Sequence, residues 1–118
     1  MLCRRARAAG ASYFIAVNLA DRASALLVER IDTLRDALRR VKRAPPFRID
    51  AIVVLPDHLH TVWTLPIGDS DFVTRWMLTK AGFSRSIPAG EVRSASRLAR
   101  GERGIWQRRY WEHLIRDE

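Results

Sequence analysis

At 118 residues, the chain is one domain's worth, enough for a single modest core of one helical layer on one sheet. With 47% hydrophobic and 29% charged residues it lies in the globular range, and its excess of 21 basic over 13 acidic residues, net +8, favours a polyanionic partner without identifying one. No stretch nears the roughly 20 apolar residues of a membrane span, and the N-terminus lacks an apolar signal core. The lone Cys3 can form no internal disulfide, so a cytoplasmic protein is expected.

Residues 1–11, with Arg4, Arg5 and Arg7, read as a basic arm that orders on a partner, and residues 12–118 as a single domain. Tyr13 to Leu19 is short, β-branched and aromatic, and suits a buried strand. From Ser24, placed to cap a helix, Leu27, Ile31, Leu34, Leu38 and Val41 recur at three- and four-residue steps. They mark one amphipathic helix of about five turns, stopped by Pro45-Pro46. Phe47, Ile49, Ala51, Val53 and Leu55 alternate and would share one face of a second strand. Pro56-Asp57 then turns the chain into a third alternating strand from His58 to Leu65, with Asp57 read as a turn residue bonding local backbone N–H groups.

Between Ser70 and Ser86, Phe72, Trp76, Thr79 and Phe83 form one stripe of a second helix, with Arg75, Lys80 and Arg85 elsewhere on the wheel. Residues 87–104 are rich in Pro, Gly, Ser and Arg and read as a mobile basic loop. Ile105 to Ile115 has the composition of a fourth strand. The order β-α-β-β-α-β is that of an α+β, ferredoxin-like fold, an antiparallel sheet with helices on one face.

His58 and His60 are two apart on a strand, so both imidazoles project from the same face while Leu59 points to the other. Two neutral ring nitrogens can reach one divalent cation, and a cation held there would polarise a phosphoryl oxygen. His-x-His alone is a weak motif, and a structural pair is its commoner explanation. Glu112 and His113 are adjacent, so at most one of them could join the pair.

The neighbourhood adds more. Ala51 to Pro66 (AIVVLPDHLHTVWTLP), Asp69 to Arg85 (DSDFVTRWMLTKAGFSR) and Gly104 to Glu118 (GIWQRRYWEHLIRDE) are similar, in this order, to the REP-associated tyrosine transposases. These belong to the HUH transposases that use one catalytic tyrosine. The resemblance implies a ferredoxin-like fold, Mg²⁺ or Mn²⁺ on His58 and His60, and single-stranded or hairpin DNA as partner. It also implies cleavage and strand transfer through a phosphotyrosine intermediate. In that family the nucleophile lies in a Tyr-Ile-His-x-Asn-Pro stretch on a helix after the last box, where an amide side chain completes the metal site. No such stretch precedes Glu118, so the expectation is a domain without its nucleophile helix, one that binds metal and DNA and does not cut.

Tyr110 is the available substitute nucleophile, and a packing role is the expected one. For DNA the candidates are Arg75, Lys80 and Arg85 on the second helix, Arg93, Arg97, Arg100 and Arg103 in the loop, and Arg108 with Arg109, arginine suiting bidentate phosphate contact. The four tryptophans could stack on unpaired bases, although core packing is expected for most of them. The competing reading is a non-catalytic nucleic-acid-binding ferredoxin-like module in which the histidines merely pack.

Overall fold

Buried and half-buried side chains alternate strictly along the two central strands, because successive residues of a strand face opposite ways. The computed structural model describes residues 10–43 and 46–115; most of the basic arm and the Pro45 stop lie outside the described residues. In β1 (Ser12–Asn18), Tyr13, Ile15 and Val17 are buried, and in β3 (His58–Thr64) so are Leu59, Thr61 and Trp63. These two strands pair antiparallel, with β2 (Arg48–Val54) outside β3 and β4 (Trp111–Ile115) outside β1, giving the order β2-β3-β1-β4 expected of the ferredoxin-like fold.

The buried face of the sheet is covered by α3 (Phe72–Arg85): Phe72 packs on Tyr13 with ring centroids 4.7 Å apart, and Trp76 on Trp63 at 5.8 Å. The sequence stripe of Phe72, Trp76, Thr79 and Phe83 is buried as expected. Beside α3 runs α2 (Ile31–Lys42), where a Cβ on Gly82 would meet that of Ala37 at 3.6 Å, so the small residues let the helices approach.

Four expectations are corrected. The first helix is broken at Arg30 into α1 (Leu26–Glu29) and α2. The apolar spacing runs through this break; what sets α1 apart is tertiary, the Leu27 amide donating to the Pro56 carbonyl at 3.2 Å. In β2 a bulge between Ile49 and Ala51 inserts a residue, which reverses the parity of the rest of the strand. Phe47 is buried in the core, while Val53, opposite His60, faces the other way and is exposed.

Residues 87–104 are not a bare loop. They hold α4 (Ala95–Arg100), capped by the Ser94 side chain accepting from Arg97 N and ended at Gly101 in the left-handed region, φ 69°. The last strand is shorter than expected. Trp106 makes an isolated bridge with Leu19 and then enters the core against Phe83 and Trp76, so regular pairing begins only at Trp111.

Candidate metal centre

β1 and β3 turn their alternate residues away from the helices, and on that open face the two histidines stand together. His58 lies opposite Asn18, and His60 lies between Ala16 and Val53. Their ring centroids are 5.2 Å apart and their planes nearly perpendicular. With metal–nitrogen bonds of about 2.1 Å, two imidazoles on one ion at ordinary ligand angles have centroids roughly 4.5–5.3 Å apart. The separation of the two rings is one at which imidazoles can share a divalent cation.

Asp57 sets the orientation. Its Oδ1 lies 2.9 Å from His58 Nδ1, and a proton held there leaves the lone pair on Nε2, the tautomer a metal ligand needs. Its other carboxylate oxygen accepts from Arg22 Nε. The Arg22 guanidinium first, and then His58, hold the Asp57 carboxyl down at about 2. The turn is anchored as well, the Leu19 amide donating to the Asp57 carbonyl at 2.8 Å. The expected bonding of Asp57 to local N–H groups is thus corrected: its carboxylate joins a histidine to an arginine 35 residues away. Nothing in the sequence marked Arg22 for this.

Among the described residues, no group of three His, Cys, Asp or Glu side chains is placed to hold a metal ion, so the face offers two ligands. His113 does share it, because β4 pairs with β1 so that Phe14 lies opposite His113 and Ala16 opposite Trp111. Its ring stacks on Trp111, planes 8° apart, rather than joining the pair. Glu112, opposite the buried Ile15, is on the helix side.

Tyr110 is also on the helix side, its ring 6.2 Å from that of Trp76 with the Lys80 ammonium 5.9 Å from its centroid. Tyr13 is fully buried against Phe72. The sheet stands between both hydroxyl-bearing rings and the histidine pair.

The basic candidates divide sharply. Arg75 is 3% exposed: it forks onto Asp69 at 2.7 and 3.0 Å, donates to the Asp71 carbonyl, and lies over the Phe47 ring. It fastens the start of α3 and is withdrawn from any surface contact. Lys80 donates to the Gln107 carbonyl at 3.2 Å, and burial followed by the nearby Arg97 pushes its pKa down. Arg93 and Arg97 bond main-chain carbonyls of Glu102, Arg103 and Trp106, Arg103 bonds that of Ser84 at the end of α3, and Arg108 pairs with Glu102. Arg85, Arg100 and Arg109 are exposed.

The chain is 44% identical over 114 of its residues to the REP-associated tyrosine transposase of Escherichia coli K12. It belongs to the REP-associated tyrosine transposase family. A candidate REP-associated tyrosine transposase of Haemophilus influenzae Rd is 39% identical over 117 residues. The match covers 97% and 98% of this chain but 61% and 66% of those relatives, so the chain spans somewhat less than two thirds of their length.

A solved REP-associated tyrosine transposase bound to a REP hairpin superposes with a TM-score of 0.80 at 42% identity, covering all of this chain and 64% of that one. A candidate transposase from Deinococcus radiodurans R1, at 20% identity and TM-score 0.61 over 99% of this chain and 88% of its own, shows the same fold. No family model matches the chain. HUH-type transposases generally use a divalent metal. No helix among the described residues is long and apolar enough to cross a membrane.

Proposed function

We propose that this REP-associated tyrosine transposase chain is a cytoplasmic DNA-binding domain that takes hairpin DNA with single-stranded flanks and holds Mg²⁺ or Mn²⁺ on His58 and His60. The observation that carries the proposal is the oriented pair: two imidazoles side by side on the open face, one of them fixed by Asp57, in a chain 44% identical to a named transposase. Such an ion, when bound, supplies charge stabilisation to a phosphodiester under attack. The two imidazoles leave much of an octahedral shell to oxygen donors, which suits Mg²⁺ or Mn²⁺ working with a phosphate substrate. What the chain itself does is hold both rings on a rigid sheet and keep His58 in one tautomer through Asp57 and Arg22.

Cleavage and strand transfer through a phosphotyrosine would need a hydroxyl on this face, and Tyr13 and Tyr110 are on the other. That placement favours a second reading, in which the chain by itself binds DNA without cutting it. One experiment tests the metal and DNA assignments. Mn²⁺ binding is followed by electron paramagnetic resonance, and hairpin binding by anisotropy, in the natural chain and in the His58→Ala, His60→Ala double variant. Loss of Mn²⁺ binding with the fold retained is expected. Unchanged Mn²⁺ binding in the double variant would overturn the metal assignment.

A further inference from the structure

We propose that the open face beside the histidine pair is a stacking lane for unpaired bases, with Trp111 as its main platform; this deepens the DNA-binding reading above and rests on it. Rings cross the sheet in an unbroken series. His58 and His60 are 5.2 Å apart, His60 and Phe14 5.5 Å, Phe14 and Trp111 5.6 Å, and Trp111 and His113 5.5 Å between centroids. They come from three strands, and only their shared parity and register bring them into line. Such a series runs across the strands, from the edge strand β4 to the metal ligands.

Exposure separates Trp111 from the other tryptophans. Trp63, Trp76 and Trp106 are at most 5% exposed and form the core, whereas Trp111 is 56% exposed. An aromatic ring that could pack under α3 but stands outward on a sheet, offset-stacked on a histidine, presents the flat apolar surface that nucleobases occupy. The charges agree with a polyanion. The carboxylates at the two ends of the face, Asp50 and Asp57, are each bonded by an arginine, Arg48 and Arg22, that remains largely exposed. The occupant is therefore single-stranded nucleic acid, with a base on Trp111 and the backbone led towards His58 and His60. Trp111 acts as a positioning residue.

Because Trp111 is the exposed indole, intrinsic fluorescence reports on it. The full chain is titrated with a hairpin oligonucleotide carrying a single-stranded flank, and with the same hairpin made blunt, using the natural chain, Trp111→Ala and Trp111→Phe. Expected are quenching by the flanked hairpin that disappears in Trp111→Ala, and a loss of affinity for it of roughly 5- to 150-fold. Trp111→Phe should recover most of that affinity, and binding of the blunt hairpin should not change. Equal affinity of Trp111→Ala and the natural chain for the flanked hairpin would overturn the stacking lane alone, as would an equal loss on both hairpins. Failure of the natural chain to bind either hairpin would overturn the DNA-binding reading and the lane with it.

Discussion

Arg75→Ala should lower stability by about 2–4 kcal/mol, since it leaves Asp69 with only the Asp71 amide and removes two fork bonds from a nearly dry position. Urea denaturation measures this, and Arg75→Lys should recover little of it, because a point charge cannot replace the fork. The same residue would look like a phosphate contact in a count of basic side chains, and only its burial shows otherwise. Tyr110→Phe makes the complementary case. Its ring packs on Trp76 across the sheet from His58 and His60, so the variant should keep hairpin affinity within twofold or so. If a labelled hairpin became covalently attached to the chain and Tyr110→Phe abolished the attachment, the helix-side placement of Tyr110 would be wrong. In the sequence Tyr110 and Trp111 were equivalent neighbours; the strand separates them by pointing one ring into the core and the other outward.

At the scale of elements, the segment between α3 and β4 is held by its own arginines. Arg103 forks onto Glu91 at 2.7 and 3.0 Å and also donates to the Ser84 carbonyl, tying the residues on either side of α4 to each other and to the end of α3. The Arg103 guanidinium, helped by the Gly104 amide, holds the Glu91 carboxyl at about 2, against an ordinary 4.5. A carboxyl depressed on folding stabilises the native state above its ordinary pKa, and that stability is lost as pH falls through the folded value. Stability should therefore decline between pH 4.5 and about 2, and Glu91→Gln should remove this part of the decline, at a cost near neutral pH of about 1 kcal/mol after solvent screening. Thermal melts across that range read both effects. Gly104→Ala should loosen the segment too, because a Cβ there would sit 2.9 Å from the Val92 carbonyl oxygen. Faster trypsin cleavage within residues 91–104, with the sheet intact by circular dichroism, is the expected result. Composition alone suggested a mobile loop; its arginines count as disorder-promoting in a tally but as staples once carbonyls lie within reach.

Across the whole molecule, the +8 charge divides into arginines that build the fold and arginines that remain exposed. Arg85→Ala and Arg109→Ala, at exposed positions, should each reduce the slope of log affinity against log salt by about 1 if they meet phosphates. Arg97→Ala, which removes bonds to the Arg103 and Trp106 carbonyls, should instead lower the melting temperature. Hairpin binding measured over a range of salt separates the two groups. Opposite outcomes, with stability lost at Arg85 and salt slope at Arg97, would reverse the division.

The sequence by itself determined the order of the four strands and the two main helical regions, the stripe of α3, the alternation of β3, and so the common face of His58 and His60, because the stripe and the alternation depend on local repeats of 3.6 and two residues. Its three boxes also carried the family, which the comparisons bear out. Only the tertiary structure decided the rest. The bulge in β2, the break at Arg30, the Arg22–Asp57–His58 chain and the line of rings from His58 to His113 all depend on residues far apart in sequence. Register and long-range hydrogen bonds set them, and neither leaves a periodic trace in the chain.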